Sequence, residues 1–241
     1  NRKHWNIPNG NDMSKTLNEK RRTPLVQDGL YVILDPSICP DRSLVDVLKI
    51  SAAAGARNFQ YRNKTASMKD AYAEALALRK VAQELGVVFI VNDRCDLALA
   101  VDADGVHLGQ GDLPFHLARK VMGPDKLIGL STHDHQQILA ATAAGPDYIG
   151  FGPIFTPGSK TDHDPVVGLA GLRGVRSLTP LPIFAIGGIT LDQVENVMRA
   201  GANGVAVISA IIKAADVRQT VSDFVARISS SIVPASRPSL V

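Results

Sequence analysis

SAAAGARNFQY, residues 51–61, is the phrase on which the fold turns. Its Ala-rich half suits a helix, Gly55 suits the left-handed residue that stops one, and NFQY reads as a short strand. The phrase returns as AQELGVVFIV (82–91), TAAGPDYIGF (142–151) and RAGANGVAVI (199–208), with Gly86, Gly145 and Gly201 in the stopping position. Working outward, candidate strands fall at residues 30–34, 58–61, 88–91, 105–108, 127–130, 148–151, 183–186 and 204–208. Most are short apolar runs, as parallel strands covered on both faces should be. Between them residues 42–54, 68–85, 134–144 and 191–200 read as helices. Eight βα units in about 200 residues predict an α/β protein, a (β/α)8 TIM barrel of a single domain. An open doubly wound sheet is the alternative. It is less favoured because no GxGxxG follows the first strand, and the Gly-rich pieces GFGPIFTPG and GGI come after strands six and seven.

The barrel is expected over residues 29–228. Residues 1–28 read as a polar extension with a short helix around 13–20, and residues 229–241 as a Ser/Pro-rich tail. The apolar share of 45% and charged share of 20% are ordinary for a soluble globular protein. A net charge of +3, with its charges mixed along the chain, indicates no nucleic-acid partner. No apolar run approaches the ~20 residues that span a bilayer, so no membrane partner is expected. The first residues have charge but no apolar stretch of a secretory signal, and a transit remnant is the weaker reading. Cys39 and Cys95 show no metal or disulfide spacing, which makes the reducing cytoplasm the simplest setting. Homo-oligomerisation is left open.

In such barrels the chemistry lies at the carboxyl ends of the strands. Strand two ends in QYRNK, residues 60–64, whose Gln60, Arg62 and Lys64 share one side at a spacing of two. An amide and two cations on one side face either water or something strongly negative. Strand three ends in Asn92 and Asp93, strand four in His107 and Asp112, strand five in Ser131. Asp93 and Asp112 end neighbouring strands and could share Mg2+, which takes one or two carboxylates and completes its shell with water and phosphate. Either acid could instead cap the helix that follows it. Opposite Arg62, Lys64 and Lys160 the metal reading is the stronger, and the negative object becomes a diphosphate. Gly187, Gly188 and Ser209, after strands seven and eight, suggest a second phosphate site; two tight turns are the alternative. GPIFTPGSK, residues 152–160, reads as a loop that closes over a ligand. His107 and His133 suit either the pocket or its support, and Tyr31 and Phe155 either a stack on a flat ring or plain packing.

QYRNK, VND, DGVHLGQGD, GLSTH, GPIFTPGSK, IGGIT and VAVISA stand in an order and spacing similar to the thiamin phosphate synthase family, from about residue 30 to residue 228. The resemblance implies a (β/α)8 barrel that joins 4-amino-2-methyl-5-hydroxymethylpyrimidine diphosphate to 4-methyl-5-(2-phosphooxyethyl)thiazole with Mg2+, releasing diphosphate. It implies that Gln60, Arg62, Lys64, Asn92, Ser131 and Lys160 hold the pyrimidine diphosphate, with Arg62, Lys64 and Lys160 stabilising the leaving group. It implies Mg2+ on Asp93 and Asp112, and thiazole phosphate at Gly188, Ile208 and Ser209. The family commonly reads Pro-Thr-x-Thr-Lys where this chain has Thr156-Pro157-Gly158-Ser159-Lys160. Ser159 and Lys160 keep their places in that pattern, and Thr156 is transposed. Rival readings are the related thiazole tautomerase, a non-catalytic sensor of thiamin precursors, and a phosphosugar isomerase or lyase. The full set of diphosphate and metal residues argues against the first. No catalytic Lys, Glu or Asp can be placed inside the barrel for the last.

Overall fold

The computed structural model describes residues 29–156 and 165–231. Its strands are β1 (Gly29–Leu34), β2 (Asn58–Tyr61), β3 (Val88–Asn92), β4 (Gly105–Leu108), β5 (Leu127–Thr132), β6 (Tyr148–Phe151), β7 (Ile183–Ile186) and β8 (Gly204–Val207). They close into a barrel in sequence order, with every neighbouring pair parallel and β8 returning to β1. The helices are α1 (Leu44–Ala53), α2 (Met68–Leu85), α3 (Cys95–Ala100), α4 (Phe115–Met122), α5 (His135–Ala144), α6 (Gly168–Arg176), α7 (Val194–Arg199), α8 (Ser209–Ile212) and α9 (Val217–Ser231). The closed barrel, rather than the open sheet, is the architecture. The last helix runs past residue 228 to Ser231. Residues 1–28, most of the expected tail, and Ser159 and Lys160 lie outside the described residues.

Local chemistry explains the element ends. Ser43, Ser67 and Asp134 accept the backbone N–H groups of Asp46, Asp70 and Gln137, which starts α1, α2 and α5. Each repeat's glycine turns with positive φ at the helix end: 107° at Gly55, 63° at Gly86, 77° at Gly145 and 106° at Gly201.

Alternation along the strands makes two cores. Tyr31, Ile33, Val88, Ile90, Tyr148, Phe184 and Ala206 face inward and fill the barrel. Phe59, Tyr61, Phe89 and Val91 face outward and join the larger layer under the helices. The interior accommodates its rings because glycine faces them. A Cβ on Gly129 would fall 2.2 Å from Cζ of Tyr148 and 2.5 Å from Nδ1 of His107.

The sequence repeat is also a repeat of contacts at the amino end of the barrel. Asp104 Oδ2 accepts from the Phe89 N–H at 2.9 Å and from Arg79 at 3.2 Å. Asp147 Oδ2 accepts from the Ile128 N–H at 2.8 Å and from Arg119 at 2.9 Å. Asn203 Oδ1 accepts from the Ile183 N–H at 3.0 Å and from Arg176 at 3.0 Å. Each stands one residue before an even-numbered strand and ties it to the preceding strand and to the helix that leads into that preceding strand. The pattern breaks before β2, where Arg57 instead donates to the carbonyls of Ala52 and Ala56.

Candidate active site

The carboxyl ends of the strands open into one pocket of about 490 Å3. Its wall at β2 is built by QYRNK, whose Gln60, Arg62 and Lys64 all line it. Gln60 is buried, and its Nε2 donates to the Tyr31 hydroxyl at 3.0 Å. Arg62 pairs through Nη1 with Asp35, itself buried at the end of β1. Asp35 also accepts from the Ser37 N–H at 3.0 Å and the Ser37 hydroxyl at 2.6 Å. Arg62 is thereby aimed before any ligand arrives. Lys64 Nζ lies 3.2 Å from Asp93 Oδ2, with its side chain 56% exposed. A pair that open contributes little to stability, so Lys64 can change partners cheaply.

Asp93 and Asp112 both line the pocket, and neither caps a helix. Arg94 and Pro114 hold the capping positions of α3 and α4, without side-chain cap bonds. Asp93 adopts φ 62°, an uncommon value for a residue with a side chain, and donates its N–H to the His107 carbonyl at 2.8 Å. Asp112 Oδ2 accepts the Gly109 N–H at 2.6 Å. Burial pushes the Asp112 carboxyl up, and the Asp93 carboxylate pushes it further; the Gly109 N–H and Lys64 act the other way. Two acids meeting in this way favour a cation between them. Among the described residues no group of three or more His, Cys, Asp or Glu side chains could hold a metal. Two carboxylates are nevertheless enough for Mg2+, which draws its remaining ligands from water and phosphate.

Across the pocket, Asn92 on β3 and Ser131 on β5 complete the polar wall. The Ser131 hydroxyl lies 3.0 Å from His107 Nε2, and His107 Nδ1 lies 3.1 Å from the Tyr148 hydroxyl. Burial pushes the His107 imidazole down to about 4, so it is neutral near pH 7. Burial also holds the phenols of Tyr31 and Tyr148 above the ordinary tyrosine range. Tyr31 is not free to stack on a ligand, because its ring packs edge-on to Tyr148 and Phe184. Phe155 packs half-buried against the outer core. His133 lines the pocket and bonds through Nδ1 to the Gly152 carbonyl at 2.7 Å.

The residues expected to hold a second phosphate follow the ends of β7 and β8, and Ile186, which ends β7, lines this pocket. Ile208 lines the pocket and precedes α8, which Ser209 opens. Gly188, at φ 62°, leaves no room for a side chain, since a Cβ would lie 2.6 Å from the Thr156 carbonyl oxygen. Thr156 is exposed at that edge and does not line the main pocket. Sequence reasoning gave no role to Asp35, Tyr148, Gln110 or Gln137. Gln110 Nε2 donates to the Ser131 carbonyl at 2.6 Å, and Gln137 accepts the His133 N–H at 2.8 Å. The inward period of two could have flagged Tyr148, but not its partners.

The model of the thiamine monophosphate synthase family matches residues 30–211, most of the chain. The chain belongs to that family. The thiamine-phosphate synthase of Chloroflexus aurantiacus is 48% identical over 188 residues, covering 78% of this chain and 87% of the relative. That of Clostridium novyi is 42% identical over 189 residues, covering 78% and 93%. The solved thiamine phosphate pyrophosphorylase from Pyrococcus furiosus superposes with a TM-score of 0.78 at 35% identity, covering 86% of this chain and 98% of that one. The family match spans β1 to α8, and so takes in every described candidate residue of the pocket.

Proposed function

We propose that this protein is a thiamine-phosphate synthase, a transferase that couples a pyrimidine diphosphate to a thiazole phosphate in thiamine biosynthesis. The observation that carries the reading is that Asp93 and Asp112, neither used as a helix cap, line one pocket with Lys64 and the pre-aimed Arg62. The substrates are 4-amino-2-methyl-5-hydroxymethylpyrimidine diphosphate and 4-methyl-5-(2-phosphooxyethyl)thiazole. A reducing cytoplasm suits the free Cys39 and Cys95. Among the described residues no helix is long and apolar enough to cross a membrane.

The reaction needs no protein nucleophile. The bond between the pyrimidine methylene and the diphosphate oxygen breaks, and both electrons leave with diphosphate. The electron-rich aminopyrimidine carries the resulting positive charge, and the thiazole nitrogen donates its lone pair to that carbon. The protein's work is to align the two partners and to stabilise negative charge on the leaving oxygens. Arg62, fixed by Asp35, and Lys64, released from Asp93, supply cations at that point, joined by Lys160. Gln60, Asn92 and Ser131 hold the same substrate, Gly188, Ile208 and Ser209 hold the thiazole phosphate, and Thr156 and Ser159 are further candidates for substrate binding. Asp93 and Asp112 would hold Mg2+, which when bound neutralises charge on the departing diphosphate.

The test is direct. Purified full-length protein is mixed with both substrates, first with Mg2+ and then with EDTA, and thiamin phosphate is read as fluorescent thiochrome. Product that depends on Mg2+ is expected. No product, with both substrates still binding, would overturn the synthase reading in favour of a sensor.

A further inference from the structure

Five polar side chains form an unbroken line from one wall of the pocket, through the barrel interior, to the other. Gln60 Nε2 lies 3.0 Å from the Tyr31 oxygen, which lies 2.9 Å from the Tyr148 oxygen. The line continues from Tyr148 to His107 Nδ1 at 3.1 Å and from His107 Nε2 to Ser131 Oγ at 3.0 Å. Tyr31 is 2% exposed, Tyr148 0% and His107 9%. Water cannot repair a wrong orientation inside such a line, so the protons must be ordered.

The order follows by elimination. Tyr31 already accepts from Gln60, so its own proton must go elsewhere. Among the described residues the only acceptor bonded to it is Tyr148. Tyr148, having accepted, donates its proton to His107 Nδ1. The neutral imidazole then carries its hydrogen on Nε2 and donates to Ser131 Oγ. Among the described residues Ser131 Oγ has no other partner, and Ser131 lines the pocket. Its own hydrogen is left to point at the ligand. The opposite order would leave the Tyr31 hydroxyl hydrogen buried without an acceptor, which is costly.

We propose that Tyr31, Tyr148 and His107 are positioning residues, a one-way relay of donors that makes Ser131 a committed hydrogen-bond donor to the pyrimidine diphosphate. A free serine hydroxyl can turn its hydrogen either way; one that accepts from His107 cannot turn its single hydrogen toward that nitrogen, and presents it outward. The relay lets the pocket favour a substrate that places an acceptor at Ser131 and discriminate against one that places a donor there. Its kinetic consequence rests on the synthase reading above, whereas the ordering itself does not.

The ordering is tested by 15N NMR of His-labelled full-length protein without ligand, with His107→Asn assigning the signals. The expected result is the Nε2–H tautomer, with the Nδ1 resonance moving toward that of an unbonded imidazole nitrogen in Tyr148→Phe. An Nδ1–H tautomer would overturn the relay, as would an Nδ1 resonance that ignores Tyr148→Phe. The kinetic arm is a double-mutant cycle, with Tyr148→Phe keeping the ring while removing its hydroxyl. We expect kcat/KM to fall about tenfold in wild type, the scale of one lost hydrogen bond, and less than about twofold in a Ser131→Ala background. Equal losses in both backgrounds would mean that Tyr148 does not act through Ser131. A wild-type protein that makes no thiamin phosphate but shows the expected NMR result would sink the synthase reading and leave the relay standing.

Discussion

Gly129 shows how a single side chain sets the site. It faces inward on β5 in register with His107 on one side and Tyr148 on the other. Any Cβ there would overlap both rings. Gly129→Ala is expected to cost about 1–3 kcal/mol from overpacking and to displace His107, lowering both the melting temperature and turnover. An alanine variant with unchanged melting would show that the rings can move aside. His107 itself makes stability depend on pH. Its imidazole titrates near 6.5 in the unfolded chain and at about 4 in the fold. Between those values the unfolded chain binds the additional proton, so the fold gains stability as pH rises. The contribution is complete above about pH 6.5 and is lost as pH falls through 4, about 3 kcal/mol in all. Asp112, whose carboxyl is raised, works in the opposite direction, so the comparison must be by difference. Urea midpoints measured from pH 7 to pH 4.5 should fall more steeply in wild type than in His107→Asn. Parallel profiles would acquit the imidazole.

At the scale of elements, the barrel is held by repeated joints that the active site does not use. Asp104, Asp147 and Asn203 each take a backbone N–H from the preceding strand and an arginine from the helix that leads into that strand. The backbone bond matters more than the ion pair in the case of Asp147, whose carboxylate is 37% exposed while Ile128 is fully buried. Asp147→Ala leaves the Ile128 N–H without its partner, at a cost of about 1–3 kcal/mol. A melting temperature lower by several degrees is expected, with kcat/KM unchanged, because the amino end of a (β/α)8 barrel serves stability rather than chemistry. A large loss of turnover with normal melting would contradict that division. These joints were only half legible. The repeated phrases place Asp147 and Asn203 before their strands, but nothing in the phrases pairs them with Arg119 or Arg176. That pairing is made by the packing of α4 and α6 on the barrel.

For the molecule as a whole, binding should be visible as stability. A ligand that occupies the folded pocket at a hundred times its Kd stabilises the fold by about 2.7 kcal/mol. For a chain of this size that is a rise in melting temperature of about 5–10 °C. Inorganic diphosphate with Mg2+ is expected to produce the rise, and diphosphate with EDTA much less of it. Asp93→Ala should abolish the difference between the two; a variant that keeps it would remove Asp93 from the metal site. The sequence by itself determined the order of strands and helices, because period, glycine stops and serine caps act within a few residues of one another. It also determined which residues stand at the carboxyl ends of the strands, since that follows from where each strand stops. Whether Asp93 and Asp112 cap helices or face each other was open until the fold turned both toward the pocket. The link between Tyr31 and Tyr148 spans 117 residues of sequence. Such a contact depends on closure of the barrel and on strand register, which bring distant residues to one level, and no local pattern records either. Only the tertiary structure could decide that His107 is a buried neutral link between Tyr148 and Ser131, because burial and hydrogen-bond partners are properties of the closed barrel.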